Sequence, residues 1–389
     1  MTDHSIDEQF LRCALDLARQ GIGLASPNPY VGAVIVDQQG NIVGTGVYTY
    51  EGVKHAEVRA LESAGEKARG GTLYINLEPH SHQGRTPPCT EALIAAGIRR
   101  VVASMPDPNP KVSGRGFEQL RAAGVRVEVG GLEAEARRLN EAFARYIRHG
   151  VPLVTLKSAM TLDGKIAPPS ASVAKHTAGI PVGGWITGEP ARANVQQQRH
   201  QSDAILVGVG TILADDPLLT DRSGNPRRRP LLRVILDSHL RLPPDSRLVQ
   251  SVENKGVGKK DVLVFCSSPD EKKKAELEAR GVLVEQLPLD TPDGRPDFRA
   301  ILRRLGQLEI TSVMIEGGSA VNGAALASGA VDKVFLYYAP KILGAGSVPF
   351  AAGAGSHQLD EALQVKHPQL HRFGEDFAVE GYLRDPYEE

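Results

Sequence analysis

The residues whose types and spacing could do chemistry are His55, Glu57, His80 and Cys89. Two imidazoles and a thiol make a nitrogen and sulfur donor set of the kind zinc takes. Glu57 lies two residues past His55, in the first turn of a helix predicted over residues 55–64. Ligand and carboxylate can therefore face the same metal-held water. Zinc lowers the pKa of such a water towards about 7, and a carboxylate beside it can carry protons. His80 and Cys89 each follow a proline, Pro79 and Pro88. Cys89 also opens a second predicted helix, residues 89–96, where the helix N-terminus and a metal would both favour the thiolate. If His80 is not a ligand, His82 is the available substitute.

The order of these residues resembles the signature of zinc nucleobase deaminases: His-x-Glu followed by Pro-Cys-x-x-Cys, with the Glu moving protons rather than binding metal. Here a His occupies the first Cys position, and eight residues (81–88) separate it from Cys89. An imidazole can replace a thiolate at a bond length of roughly 2.0–2.1 Å against about 2.3 Å. The exchange removes one negative charge from around the metal, making it more electrophilic and its water more acidic.

The elements that must position these residues alternate between helix and strand. Phe10, Leu11, Ala14, Leu15 and Ala18 recur at helical spacing, with Ser5 as the expected cap. Strands are predicted over 31–36, 42–48, 72–77 and 100–104, and a long helix over 132–146. The pattern restarts at His149-Gly150-Val151-Pro152, which places a domain boundary there: residues 1–149 and 150–389. In the second part, strands are expected at 153–157, 204–207, 233–236, 262–265, 312–315 and 334–338. Helices are expected at 189–199, 271–279, 297–305 and 320–327. The segment 211–217 reads as a turn, and residues 168–184, rich in Pro, Ser, Ala and Gly, as a flexible loop. This is an α/β layout with chemistry at helix starts that follow strands. No Gly-x-Gly-x-x-Gly fingerprint stands between a strand and a helix, so a Rossmann site is not expected. Glu316-Gly317-Gly318-Ser319, between a strand and a helix, could instead bring backbone amides to a phosphate.

Longer motifs sharpen the resemblance. Ser26-Pro27-Asn28-Pro29-Tyr30-Val31-Gly32, His55-Ala56-Glu57, Leu77-Glu78-Pro79-His80-Ser81-His82-Gln83-Gly84-Arg85-Thr86-Pro87-Pro88-Cys89 and Asp107-Pro108-Asn109-Pro110 resemble the deaminase half of the bifunctional riboflavin-biosynthesis deaminase-reductases. Leu156-Lys157-Ser158-Ala159-Met160-Thr161-Leu162-Asp163-Gly164-Lys165, Trp185-Ile186-Thr187-Gly188, Ala214-Asp215-Asp216-Pro217-Leu218-Leu219-Thr220 and Glu316-Gly317-Gly318 resemble the reductase half, in the same order. The resemblance implies a cytidine-deaminase-like three-layer domain followed by a dihydrofolate-reductase-like α/β domain. It implies zinc on His55, His80 and Cys89, with Glu57 as the catalytic proton carrier. Asn28, Ser81, His82 and Arg85 would hold the pyrimidine and its ribose phosphate. NADPH would touch Ala159, Trp185, Thr211, Asp215 and Ser238, and the run Gly318, Ser319, Ala320, Val321, Asn322, Gly323 and Ala324. Gly183, Arg199, Leu219, Arg222 and Glu316 would hold the second substrate, with the two arginines on its phosphate. Tyr48, Lys54 and His80 depart from the family pattern, all around the first site. The departure at His80 leaves two readings open: a working deaminase-reductase, or a reductase whose deaminase half has become structural.

Composition excludes other classes. A net charge of −1 with 5% aromatic residues supplies neither the basic stripe nor the stacking platform of a nucleic-acid enzyme. The local run Arg227-Arg228-Arg229 reads as a solvated loop. Three scattered cysteines do not make a disulfide framework, and no apolar stretch approaches membrane-spanning length. The expectation is a cytoplasmic homo-oligomer that acts on a small molecule, with no nucleic-acid or membrane partner.

Overall fold

The structure is a computed structural model that describes residues 3–83, 87–169, 184–253, 260–287, 297–353, 355–356 and 358–388. Arg85, Gly183 and most of the expected 168–184 loop lie outside the described residues. The chain divides into two compact units. One runs to His149 and includes Pro226–Arg229; the other comprises Gly150–Asn225 and Pro230–Glu388.

The first unit contains helices α1 (Asp3–Arg19), α2 (Ala56–Ala64), α3 (Cys89–Ala95), α4 (Arg115–Ala122), α5 (Glu133–Leu139) and α6 (Glu141–His149). Its strands are β1 (Gly32–Val36), β2 (Ile42–Val47), β3 (Thr72–Ile75), β4 (Arg100–Ala103) and β5 (Arg126–Val129), in the sheet order β2-β1-β3-β4-β5. β1 pairs antiparallel with β2 and β3, while β3, β4 and β5 run parallel. β1 is buried along its whole length because helices cover both of its faces. Val34 and Val36 pack with Leu11 and Ala14 of α1. The opposite face carries α2, seated against β2. A Cβ on Gly44 would lie 2.2 Å from the Ala60 carbonyl oxygen, and one on Gly46 2.0 Å from that of Ala56. Only glycine allows that approach, which fixes the start of α2 against the sheet. The result is the three-layer arrangement that the resemblance implies.

The second unit contains β6 (Leu153–Thr161), β7 (Lys165–Ala167), α7 (Glu189–Gln201), β8 (Ala204–Gly208), α8 (Val209–Asp215), β9 (Leu232–Leu236), α9 (Arg247–Glu253), β10 (Val262–Cys266), α10 (Glu271–Ala279) and β11 (Leu283–Gln286). Then follow α11 (Phe298–Gln307), β12 (Ser312–Ile315), α12 (Ser319–Ala327), β13 (Lys333–Ala339), β14 (Val348–Pro349), β15 (Lys366–Phe373) and β16 (Asp376–Tyr382). The large sheet has the order β11-β10-β9-β8-β12-β6-β13-β16-β15, and β14 pairs with β7. β11 to β13 are parallel, and β16 and β15 are antiparallel additions at one edge. Alternate residues of the parallel strands enter two cores. Leu206, Val234 and Phe265 pack with α11, whereas Val207, Ile235 and Val264 pack with α9 and α10. From β6 the chain moves outward through β8, β9, β10 and β11, then returns to insert β12 between β8 and β6. In such sheets the carboxyl ends of the strands around the reversal open into a crevice.

Several local expectations change. α1 begins at Asp3, so Ser5 lies inside the helix and is not its cap. The helix expected over 132–146 is two helices. Asn140, between them, is buried, and its side chain accepts from the Tyr30 amide (2.8 Å) and donates to the Tyr30 carbonyl (3.1 Å). Asn140 keeps helical bonds at its amide (to the Ala136 carbonyl, 3.1 Å) and at its carbonyl (from the Ala144 amide, 2.9 Å), so the interruption lies in its backbone dihedrals, φ −106° and ψ 15°. The segment expected to turn after Gly208 is α8, ended by Asp216 in a left-handed conformation at φ 42°. The arginine run is not a solvated loop. Arg227, Arg228 and Arg229 are half-buried, the Arg228 guanidinium lies 4.0 Å from the Tyr50 ring centroid, and Arg229 donates to Ser26 Oγ (3.1 Å).

Candidate active sites

The first site forms where α2, the segment after β3 and the start of α3 converge. His55 is the extended residue that precedes α2, with φ −67° and ψ 159°. Its Nδ1 lies 3.2 Å from Cys89 Sγ, and its ring meets His80 edge-on with centroids 4.8 Å apart. Cys89, the first residue of α3, is fully buried. The donor atoms of His55, His80 and Cys89 all lie within 4.8 Å of one another, the one such cluster among the described residues. Glu57 is 3% exposed and hydrogen-bonds the Cys89 thiol.

Electrostatics and satisfaction both fit a cation here. Burial first, then the charge and hydrogen bond of Glu57, push the Cys89 thiol well above its ordinary value. A nearby positive charge is what would hold it as thiolate. Burial first, then His55 and His82, bring His80 down to about 4, so it is a neutral imidazole, the ligand form. Most directly, His80 Nδ1 is buried with no hydrogen-bond partner among the described residues. A buried orphan of this kind is costly unless something absent from the protein occupies it.

The supports of this cluster come from motifs whose roles the sequence left open. Glu78 accepts from the amides of Asp107 (3.0 Å), Gly114 (2.8 Å) and Gly116 (2.7 Å). Its carboxylate thereby satisfies the open N-terminus of α4 and ties the 107–110 segment to the strand that leads to His80. Burial raises Asp107 to about 6, with the neighbouring Glu78 charge adding to it against the Asn109 amide. Tyr48 Oη accepts from Asn28 Nδ2 (2.5 Å), and the Tyr48 ring stands edge-on to His55. Ser81 is half-buried and His82 exposed, with His82 Nε2 3.3 Å from His80 Nε2.

The second site lies at the carboxyl ends of β6, β8, β9 and β12, in the crevice described above. Glu316 follows β12 and accepts from Arg199 Nε (2.7 Å) and Nη2 (3.1 Å) and from Lys157 Nζ (3.4 Å). Burial would raise the Glu316 carboxyl, but Arg199 and then Lys157 outweigh it and hold it at about 2. Arg199 Nη1 donates to the Thr220 carbonyl (2.9 Å), and the adjacent Leu219 is held left-handed at φ 54°. A branched residue there costs on the order of 1–3 kcal/mol, tolerated because Leu219 is buried in the core. With all three nitrogens engaged, Arg199 is poorly placed to take a phosphate as well. Arg222, exposed at its side chain, is the better placed of the two arginines.

The run 318–324 separates into two groups. Gly318 precedes α12, and a Cβ there would lie 3.9 Å from Thr211 Oγ1, so these two expected cofactor residues are brought together. Ser319 Oγ is buried with no partner among the described residues, an orphan at a helix N-terminus suited to a phosphate oxygen. Further along, Val321 packs on Gly208 and Gly317, Asn322 donates to the Phe350 carbonyl (2.9 Å), and Ala324 joins the core. A Cβ on Gly323 would fall 1.6 Å from the Ala352 carbonyl oxygen. These contacts fix the helix against its neighbours, and Val321, Gly323 and Ala324 remain half-buried. Trp185 is 47% exposed, with Arg192 4.9 Å above its ring, and Lys341 Nζ donates to its carbonyl (3.0 Å). Ser238 accepts at its carbonyl from the amides of Ser267 and Ser268, just past β9. Ala159 packs partly buried on β6, and Asp215 closes α8. Lys157 carries no role in the sequence reading; a lysine flanked by Leu156 and the small residues Ser158 and Ala159 within a strand is the available signal.

Comparison with known proteins matches this architecture. Residues 152–379 match the RibD C-terminal domain family, and residues 4–105 the cytidine and deoxycytidylate deaminase zinc-binding region. A riboflavin biosynthesis protein RibD of Actinobacillus pleuropneumoniae is 41% identical over 381 residues, covering 98% of this chain and 96% of that protein. RibD of Acinetobacter baumannii superposes with a TM-score of 0.82 at 35% identity, covering 98% of this chain and 99% of the other. A Thermotoga maritima structure described as a diaminohydroxyphosphoribosylaminopyrimidine deaminase/5-amino-6-(5-phosphoribosylamino)uracil reductase gives 0.80 at 36% identity, covering 97% and 99%. The chain belongs to the RibD family of riboflavin biosynthesis proteins, in which a deaminase domain and a reductase domain share one polypeptide.

Proposed function

We propose that the chain catalyses two consecutive steps of riboflavin biosynthesis. The first is hydrolytic deamination of 2,5-diamino-6-(5-phosphoribosylamino)pyrimidin-4-one; the second is NADPH-dependent reduction of the ribosyl group to ribityl. The observation that carries this reading is the convergence of His55, His80 and Cys89 around an orphan imidazole nitrogen, with Glu57 against the thiol.

His55, His80 and Cys89 would hold zinc, which supplies the Lewis acidity that makes water acidic enough to attack near neutral pH. Glu57 takes the proton of the attacking water and returns it to the departing ammonia, so one carboxylate serves as base and then as acid. Its burial keeps that proton from bulk water. Asn28, fixed by Tyr48, orients the pyrimidine, with Ser81, His82 and Arg85 towards the ribose phosphate. In the second unit, NADPH supplies the hydride, so the protein's task is orientation and exclusion of water. Gly318, Ser319 and Thr211 bind its phosphate end, with Ala159, Trp185, Asp215 and Ser238 along the cleft. Glu316 holds the sugar chain, Arg199 and Lys157 fix Glu316, and Arg222 takes the substrate phosphate. The near-neutral charge favours a small-molecule substrate over nucleic acid, and the chain acts in the cytoplasm.

The test supplies the first substrate with NADPH, before and after metal removal by a chelator. The intact chain should release ammonia and then oxidise NADPH. The stripped chain should release none, yet still oxidise NADPH when given the deaminated intermediate. Ammonia release that survives complete metal removal would overturn the deaminase assignment, and absence of release from the zinc-loaded chain would leave a reductase with a structural first unit.

A further inference from the structure

His80 differs from the thiolate it replaces in having a second ring nitrogen, and that nitrogen has a partner. His80 Nε2 lies 3.3 Å from His82 Nε2, and the two rings are 4.1 Å apart at their centroids. His80 Nδ1, on the other edge of the ring, is the buried atom with no partner. Of the two nitrogens, Nδ1 is also nearer along the side chain to the position a cysteine sulfur would occupy. We propose that His80 binds the metal through Nδ1 and that His82 is the positioning residue that fixes its ring, a device a Cys in this place cannot use. The inference rests on the metal-site reading above and deepens it.

Tautomer logic makes the assignment specific. A neutral imidazole that gives its Nδ1 lone pair to a metal must carry its proton on Nε2. That N–H then donates to His82 Nε2, which places the proton of neutral His82 on its own Nδ1. Metal-bound histidines characteristically donate their second N–H in this way, which fixes ring orientation and raises ligand basicity. The contact therefore fixes the rotation of a ring that stands where the signature has a compact sulfur. His82 is exposed, so replacing it leaves no buried hole.

The test is a cycle of four full-length proteins: the natural chain, His82→Ala, His80→Cys, and both together. Zn²⁺ affinity is read by competition with a chromophoric chelator, and ligand geometry by the Co²⁺ absorption spectrum. In the natural background, His82→Ala should weaken Zn²⁺ binding about 10–100-fold, with the number of Co²⁺ ligands unchanged. His82→Gln, whose amide oxygen also accepts a hydrogen bond, should restore most of the loss. In the His80→Cys background, His82→Ala should leave affinity unchanged. Equal losses in the two backgrounds, or no loss in the natural one, would overturn the proposal while leaving the metal site standing. A Co²⁺ spectrum showing one ligand fewer in His82→Ala would overturn it in favour of direct ligation. Failure of the natural chain to bind Zn²⁺ would overturn both this inference and the deaminase assignment.

Discussion

In the first unit, the groups that converge are an unpartnered imidazole nitrogen, a thiol held neutral by burial and a carboxylate beside it. In the second, two cations and one carboxylate meet, and they already satisfy one another. Both clusters draw residues from distant segments, yet only the first is a metal-type donor set among the described residues; the second closes on itself, and its orphan, Ser319 Oγ, lies apart at the start of α12. Buried polar atoms without partners mark a place for something the chain does not supply, whereas a closed ion-pair network marks a scaffold on which neutral or weakly charged groups can be oriented. The first site is thus a donor set with an open position, and the second a carboxylate held by its own salt bridges.

The largest expected effect tests whether the sites are chemically separate. Glu57→Gln keeps the shape and removes the proton carrier, so ammonia release should fall by about 10²–10⁴-fold. NADPH oxidation with the deaminated intermediate should stay at the natural rate in the same stopped assay. A parallel loss in both activities would break the contrast. Next, Glu316→Ala removes the carboxylate that Lys157 and Arg199 both face, leaving Arg199 with only Asp221 nearby among the acidic groups acting on it. Urea unfolding should show the second unit destabilised by about 3–5 kcal/mol. The same group gives a pH signature of defined sign. Its folded pKa of about 2 lies below its ordinary value of 4.5, so the stability it lends is fully present above about pH 4.5. It is lost as pH falls towards 2. The stability gap between the natural chain and Glu316→Gln should therefore shrink across that window. The smallest effect concerns Lys54, whose departure from the family pattern sits beside the first ligand. It is exposed and pairs with Glu62, so Lys54→Ala should change stability by no more than about 0.2–1 kcal/mol. It should also leave Zn²⁺ affinity unchanged.

Legibility followed the distance over which each signal acts. His55 and Glu57 are two residues apart on one helix start, so their common facing is written in local spacing. Cys89 at a helix start was equally visible. Lys157 was not, because its meaning comes from Glu316, 159 positions later, across strands that are adjacent only once β12 inserts beside β6. The interruption of the 132–146 helix is not legible in periodicity, which shows neither the departure of Asn140 from helical dihedrals nor its bonds to Tyr30, 110 positions away. The run 318–324 looks uniform as a sequence, and only folding shows that Ser319 Oγ is left without a partner while Gly323 packs against the Ala352 carbonyl.

The sequence by itself determined the two chemistries, their order along the chain, and the substitution of His80 for a thiolate. Those depend on residue identity and on spacing within a few turns. Tertiary structure alone decided which atom of His80 is left unpartnered, that His82 stands against its other edge, and that Arg199 is committed to Glu316. Satisfaction of a buried polar atom depends on every neighbour that reaches it, and those neighbours come from segments that only folding brings together.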